Sequence, residues 1–229
     1  MEWNNKFTYP KSIRSIINGS RHYSLDGLNL PSVTTILKST QSEEDKAGLA
    51  AWKERVGYKE AERIKKEASI RGSSMHSYIE QFLLGKFNLD LLEDDNKSKK
   101  MASEIIDNGL KNKLSEIWGA EAIVYYPGKY AGTADCIGIY EGKESILDFK
   151  QSNKPKKEEF ISDYFLQGSA YSLAHNEVYN SRITQVVILL CTVDGLFQDF
   201  KIEGSQLTSY QNKFLSRVEE FYSKIKNRV

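Results

Sequence analysis

The fold is decided by residues 130–150, which read YAGTADCIGIYEGKESILDFK. Two segments rich in Ile, Leu and Tyr flank Glu141-Gly142, a pattern typical of two antiparallel strands joined by a two-residue loop. The segment 120–126, just before them, has a similar composition. These residues predict a three-stranded meander over 120–126, 130–140 and 143–150.

The hairpin places two carboxylates together. With Glu141-Gly142 as the loop, Asp135 lies directly opposite Asp148, and Lys150 points to the same face, across from Thr133. Like charges on opposed β-carbons, ~4.5–5.5 Å apart, are destabilising unless a cation lies between them or one is protonated. Two carboxylates can begin a Mg²⁺ site, beside which a lysine can orient a water molecule. Glu-Gly is not a favoured two-residue loop, so the register stays open by a residue or two.

A plainer interpretation of these residues also exists. Asp135 can be a solvated strand residue, and Asp148 and Lys150 an ordinary charged pair, since isolated Asp-x-Lys tripeptides are common. The apolar neighbours of Asp148, Ile146 to Phe149, weaken this interpretation, because a charge within an apolar strand needs a partner.

Helices and further strands are predicted around the meander. Asp26-Gly27 between short apolar runs predicts a hairpin, and Pro31-Ser32 predicts the start of a short helix. Further helices are predicted over 42–56, 58–84, 97–118, 158–178 and 205–226, and strands over 185–192 and 196–202. The segment 91–100 is expected to be a solvated loop and helix start. This order of elements indicates a mixed α/β fold.

Composition excludes several classes of protein. The 229 residues carry 32 Lys and Arg against 31 Asp and Glu, a formal charge of +1, which excludes a histone-like polycation but allows a local basic groove. Cys136 and Cys191 form no CxxC pair, so the sequence offers no four-cysteine zinc or iron–sulfur site. Neither a secretory signal nor an apolar run of membrane-spanning length is visible, so we expect a soluble, intracellular protein without membrane contact.

Three further groups of polar residues accompany the carboxylates. His76 lies in a predicted helix with Glu80 one turn later, and Gln167 and Tyr171 share one face of another helix. Lysines cluster in 150–157, where they would line a path for phosphates. Each group alone also has a structural explanation: a surface histidine, a core-facing stripe and a solvated loop.

Five short motifs follow one another along the chain: PSVT (31–34), RGxxxH (71–76), GxxD (132–135), DxK (148–150) and QxxxY (167–171). This ordered set resembles the RecB-type branch of the PD-(D/E)XK nucleases, over residues 30–221. The resemblance implies a restriction-endonuclease-like core, a central mixed sheet flanked by helices, with an N-terminal helical region. It also implies one nuclease domain over 1–229, in which 1–118 supply a hairpin and helices that form a wall or arch over the site and 119–229 supply the catalytic core.

The resemblance also implies roles for the matching residues. The catalytic residues would be Asp135, Asp148 and Lys150. The ligands of a Mg²⁺ or Mn²⁺ ion would be His76, Asp135, Asp148 and the backbone carbonyl of Phe149. The DNA-binding residues would be Arg71, Gln151, Gln167 and Tyr171, with Glu121 and Glu80 as weaker site candidates. Gln151 departs from the Thr or Ser common after the lysine in this branch, which puts fine positioning of the lysine in question.

The function implied by the resemblance is metal-dependent hydrolysis of single-stranded DNA from free ends, in replication, repair or recombination. Two alternatives stay open: a double-strand-processing recombination exonuclease or flap nuclease, and a catalytically silent nucleic-acid-binding module. The complete set of Asp135, Asp148 and Lys150 argues against the silent module. No GxxxxGK[ST] loop is present, so we expect no nucleotide cofactor. A phage-encoded member would act in the host cytoplasm, and the oligomeric state stays open.

Overall fold

The computed structural model describes residues 1–25, 27–86 and 97–227. Its strands are β1 (Glu2–Trp3), β2 (Ile13–Ile17), β3 (Ser20–Leu25), β4 (Leu28–Pro31), β5 (Leu114–Tyr126), β6 (Tyr130–Tyr140), β7 (Lys143–Ser152), β8 (Gln185–Thr192) and β9 (Phe197–Glu203). Its helices are α1 (Val33–Ser39), α2 (Glu43–Val56), α3 (Tyr58–Leu83), α4 (Lys97–Ile105), α5 (Ser162–Tyr179) and α6 (Gly204–Lys226).

A six-stranded mixed sheet forms the centre of the fold, in the order β1-β5-β6-β7-β8-β9. The strands β5, β6 and β7 form the predicted antiparallel meander. The strands β7 and β8 are parallel, and α5 connects them by carrying the chain back to the end of the sheet at which β7 begins. The strands β2, β3 and β4 form a separate antiparallel sheet. The mixed α/β class, with a central mixed sheet flanked by helices, is confirmed.

The two faces of the central sheet are covered by different helices. Ile146 and Ile188 belong to the core shared with α1, α5 and α6. Leu147 and Leu189, the next residues along β7 and β8, belong to the core shared with α3 and α4. Because successive strand residues point to opposite faces, the sheet is buried on both sides at its centre. Side chains of β6 and β7 that are polar at this depth therefore need partners within the protein.

One predicted helix is wrong. The helix expected over 97–118 ends early: α4 stops at Ile105, a π-helical turn follows over Ile106–Leu110, and β5 begins at Leu114. Leu114, Ile117 and Trp118 are spaced as in a helix, but the sheet buries all three. Asn112, with φ of 63°, provides the left-handed residue at which the chain turns into the strand.

Other differences are smaller. The strand β2 was not predicted, although it pairs along all five of its residues with β3. Residues 91–96 of the loop predicted over 91–100 lie outside the described residues. Asp26, in the predicted N-terminal hairpin loop, lies outside them too. Among the described residues, no helix combines the length and the apolar character needed to cross a bilayer.

Candidate active site

The β6–β7 hairpin has the register predicted from the sequence. Its paired positions run from Tyr140 and Lys143 to Cys136 and Leu147. The loop residues Glu141-Gly142 have φ values of 48° and 80°, and positive φ at both positions is the backbone of a type I′ turn. A dipeptide that is not favoured in such loops therefore still forms a two-residue loop. The backbone ladder ends one position before the two aspartates.

Asp135 and Asp148 occupy the pair of positions after Cys136 and Leu147, where the register predicts them, but no backbone ladder pair is formed between them. Asp135 Oδ2 instead accepts a hydrogen bond from the backbone N–H of Phe149 at 2.7 Å, which takes the place of a ladder bond. The other oxygen, Oδ1, lies 3.5 Å from Nδ1 of His76. Asp135 thus joins β6 to β7 with one oxygen and keeps the other directed at His76.

His76 is oriented by a backbone carbonyl. Its Nε2 lies 2.8 Å from the carbonyl oxygen of Phe149, and since a carbonyl only accepts, Nε2 carries the hydrogen. Nδ1 is left facing the carboxylates of Asp135, at 3.5 Å, and Glu121, at 3.7 Å. Burial alone would lower the pKa of His76, but these two carboxylates outweigh it and raise the pKa to about 10. The two carboxylates therefore stabilise a positive charge at the position of Nδ1.

Glu121 reaches the cluster from β5 through an unusual backbone conformation. Its neighbours Ala120 and Ala122 pair with Cys136 and Ala134, so Glu121 lies across the ladder from Asp135. Its φ is 47°, in the left-handed region that non-glycine residues rarely adopt and that costs them free energy. Strain of this kind concentrates at functional sites. The fold thus keeps the Glu121 carboxylate in the cluster although the backbone conformation of Glu121 is unfavourable.

His76, Glu121 and Asp135 together have the geometry of a cation site. One ligand atom from each lies within 4.8 Å of the others, and Asp135 is buried. With a neutral imidazole, the described residues place one cation, the ammonium of Lys150, in ion-pair contact with any of the carboxylates of Glu121, Asp135 and Asp148. A divalent cation with oxygen and imidazole ligands matches both the donor set and the negative charge of these carboxylates. The residues therefore fit a divalent metal.

Asp148 and Lys150 form a buried ion pair beside the cluster. Asp148 is fully buried, and Lys150 Nζ lies 2.5 Å from its Oδ2. The described residues supply no other partner to the Asp148 oxygens. Burial raises the pKa of Asp148 to about 6, against the opposing effect of Lys150. Burial would lower the pKa of Lys150, but Asp148 and Asp135 outweigh it and the pKa is raised, so this side chain stays an ammonium.

A cavity of about 430 Å³ opens onto the cluster. Glu80, Gln167 and Tyr171, all singled out in the sequence, line it together with His76 and Glu121. Gln167 Nε2 donates a hydrogen bond to the Tyr171 hydroxyl at 3.1 Å. The Tyr171 ring in turn packs on Gly132, where a Cβ would lie 2.4 Å from a ring carbon. The glycine of the GxxD motif therefore makes room for the tyrosine of the QxxxY motif.

Arg71 and Gln151 are placed together, outside the lining of this cavity. Arg71 Nε donates to Gln151 Oε1 at 2.8 Å, and Arg71 Nη2 donates to Asn153 Oδ1 at 2.5 Å. Gln151 Nε2 donates to the carbonyl of Ala68 at 3.1 Å. These bonds join α3, which carries His76, to the end of β7, which carries Lys150. The long amide of Gln151 reaches α3, which the shorter side chain of a Thr or Ser at this position would not reach. The predicted contact of Gln151 with DNA stays a prediction.

Known proteins with similar sequences bear on this site. No protein-family model matches the chain. The human protein named mitochondrial genome maintenance exonuclease 1 is 30% identical over 213 residues, 87% of this chain. Its mouse and Xenopus tropicalis counterparts are 29% and 28% identical. This chain is a relative of mitochondrial genome maintenance exonuclease 1. It spans about 60% of the length of these relatives.

Solved structures give a weaker similarity. A putative exonuclease from Eubacterium rectale aligns with a TM-score of 0.46 at 15% identity, covering 68% of this chain and 66% of that one. An alkaline exonuclease from Laribacter hongkongensis aligns with a TM-score of 0.32 at 13% identity, covering 67% of this chain and 82% of that one.

The strain at Glu121 leads to a prediction about stability. Glu121→Gly and Glu121→Ala both remove the carboxylate, but only glycine adopts a φ of 47° without a steric penalty. We expect the glycine variant to be more stable to urea unfolding than the alanine variant, by about 1 kcal/mol. Ser115, exposed on the same strand, is the control, because there glycine should be the less stable of the pair. An alanine variant as stable as the glycine variant at position 121 would show that the backbone stores no strain.

Proposed function

We propose that this chain is a metal-dependent DNA exonuclease that hydrolyses single-stranded DNA from free ends. The observation that carries the proposal is the His76–Glu121–Asp135 cluster, which lines a cavity and lies beside the Asp148–Lys150 ion pair. The name of the sequence relatives supports the reaction class. The ordered motifs, PSVT to QxxxY, support the assignment of the site to that reaction.

A Mg²⁺ or Mn²⁺ ion would be held by His76, Glu121 and Asp135, with Asp148 adjacent. When bound, such an ion supplies Lewis-acid stabilisation of charge at a phosphate and lowers the pKa of a bound water molecule. The Phe149 carbonyl holds the imidazole of His76 so that Nδ1 faces the ion position. This second hydrogen bond of a ligand histidine is the usual means of fixing its tautomer and ring orientation.

Lys150 acts as a fixed cation at the reacting phosphate. Its ammonium is held between Asp148 and the ring of Tyr164, whose centroid lies 5.1 Å from Nζ. Lys150 keeps 18% of its side chain exposed, while Asp148 keeps none. Lys150 is therefore the member of the pair with surface open to a substrate, and we propose that its ammonium donates hydrogen bonds to a phosphate oxygen as negative charge develops.

The helices α2 and α3 supply the proposed restriction to free ends. The helix α2 has no buried residue, and Gly57, with φ of 85°, separates it from α3. Tyr58, at the start of α3, is 65% exposed, and Trp52 on α2 is half-buried, so both can stack on bases. A strand passing beneath α2 would have to be threaded from an end, which excludes duplex and circular DNA.

The proposal is tested with end-labelled oligonucleotides. Single-stranded and duplex forms of one sequence are incubated with the protein in Mg²⁺ and in chelator, and the products are sized on a gel. We expect short products from the single strand in Mg²⁺ only. Equal cleavage of the duplex would favour a recombination exonuclease, and binding without cleavage would favour a silent module; either result would overturn the proposal.

The role of His76 in ion binding makes a separate prediction. His76→Ala should raise the metal concentration for half-maximal activity by ~10-fold or more while slowing the reaction less at saturating metal, because Glu121, Asp135 and Lys150 remain. Imidazole is a softer ligand than carboxylate, so wild-type protein should need less Mn²⁺ than Mg²⁺. The measurement is a titration of activity with each ion. A half-activating concentration equal to that of wild type with both ions would show that His76 is not a ligand.

A further inference from the structure

We propose that Arg14 and Arg21, on the small N-terminal sheet, form a phosphate-binding site. This site holds one phosphate of the substrate DNA strand while a neighbouring phosphate of the same DNA strand lies at the metal cluster. This inference rests on the proposed function and extends it to how the substrate strand is placed. Neither arginine was singled out in the sequence. Both line the cavity that also contains His76, Glu121 and Asp135.

Strand geometry directs the two arginines to the same side. Arg21 and Tyr23 are two residues apart on β3 and therefore share a face. Arg14 on β2 is paired with Tyr23, and directly paired residues also share a face. All three line the cavity. The face of the small sheet that meets the cavity is therefore basic.

A shared hydroxyl anchors this face next to the carboxylates. Thr133 Oγ1 lies 3.2 Å from Arg14 Nη2, which donates to it, and 3.1 Å from the Tyr23 hydroxyl. Thr133 is two residues before Asp135 on β6, a separation of about 7 Å along a strand. The Arg14 guanidinium is further held over the Tyr23 ring, 5.9 Å from its centroid. The basic face is thus fixed about two strand positions from the proposed metal.

Neither guanidinium is neutralised within the described part of the chain. Arg14 has its hydrogen bond to Thr133 and no carboxylate, and Arg21 has no side-chain partner there. By contrast, Arg63 on α3 is paired with both Glu60 and Glu67. Arginine's planar fork of donors matches phosphate oxygens in pairs. Two free guanidinium groups opposite a carboxylate cluster make a cavity that takes a phosphate on one side and a cation on the other.

The experiment measures binding in chelator, so that it does not depend on cleavage. Anisotropy of a labelled single-stranded oligonucleotide is titrated with wild type, Arg14→Gln, Arg21→Gln and the control Arg182→Gln, which removes an exposed arginine outside the cavity. We expect each cavity variant to weaken binding by about tenfold and to reduce the salt slope by about one unit, with the control near wild type. Arg21→Lys should recover part of the affinity, and melting curves verify folding.

The probe series identifies the phosphate. Oligonucleotides with one neutral methylphosphonate at each linkage, and with or without a terminal phosphate, are bound to wild type and to Arg21→Gln. We expect wild type to lose affinity at one position and the variant to be insensitive there; an internal position identifies a backbone phosphate, and the terminus identifies an end phosphate. Variants that bind like wild type, or that lose affinity equally at every position, would overturn the site. Tight, position-specific binding without hydrolysis in Mg²⁺ would instead overturn the exonuclease and leave the phosphate site standing.

Discussion

Asp148→Asn and Lys150→Ala are each expected to slow nucleotide release from single-stranded DNA by at least ~100-fold, the usual scale for a lost electrostatic element of catalysis. Asp148 is fully buried and ion-paired with Lys150. Asparagine keeps the shape of the Asp148 side chain but leaves the Lys150 ammonium without its counter-ion. Alanine at position 150 removes the cation that we propose contacts the phosphate. Initial rates at saturating Mg²⁺, with melting curves for each variant, provide the measurement.

Matched controls exist elsewhere in the chain. Lys213 lies 5.0 Å from the centroid of the Tyr210 ring, much as Lys150 lies over Tyr164, but on α6. Asp199 is paired with Lys201 at 3.3 Å near the protein surface. Lys213→Ala and Asp199→Asn should retain wild-type rates. Wild-type rates in the two site variants would contradict the assignment of the catalytic pair.

Covalently closed circular single-stranded DNA should resist the protein, whereas the same molecule cut once should be degraded. The physical reason is the proposed threading: in the proposed arch, a strand without an end cannot pass beneath α2, none of whose residues is buried. Gel analysis of the circle before and after linearisation, in Mg²⁺, measures the difference. Efficient nicking of the intact circle would contradict the arch and leave the metal site untouched.

Much of the fold could be predicted from the sequence because the strands of the central sheet have strong apolar patterns. The register of β6 on β7 could be predicted from a two-residue loop, and it brought Asp135 and Asp148 to the same site. The helix expected over 97–118 was wrong because Leu114, Ile117 and Trp118 have the spacing of one helix face, whereas register shifts in β5 allow a strand to bury all three. Only the tertiary structure, which offers β6 as a partner, decides between the two.

The site was harder to predict than the fold. Glu121 reaches the site through its own positive φ and through register shifts in β5. The sequence gives no signal that a glutamate will adopt this backbone conformation. Arg14 was not predicted as a site residue because β2 has no alternating pattern, and nothing in the sequence distinguishes Arg21 on β3 from a solvated strand arginine. Arg71 and Gln151 were singled out as DNA contacts, but their hydrogen bonds to each other depend on a long-range approach of α3 to β7. Their roles toward DNA, like those of the other site residues, remain predictions.

The most direct test of the metal centre is a titration of Mn²⁺ into metal-stripped protein in which ion binding and nucleotide release are followed in parallel. We predict no release without the ion, a single midpoint shared by binding and release in wild type, and a shift of both midpoints together in Asp135→Asn. Release that persists in chelator, or ion binding that is unchanged in Asp135→Asn, would contradict a metal-dependent site built on His76, Glu121 and Asp135.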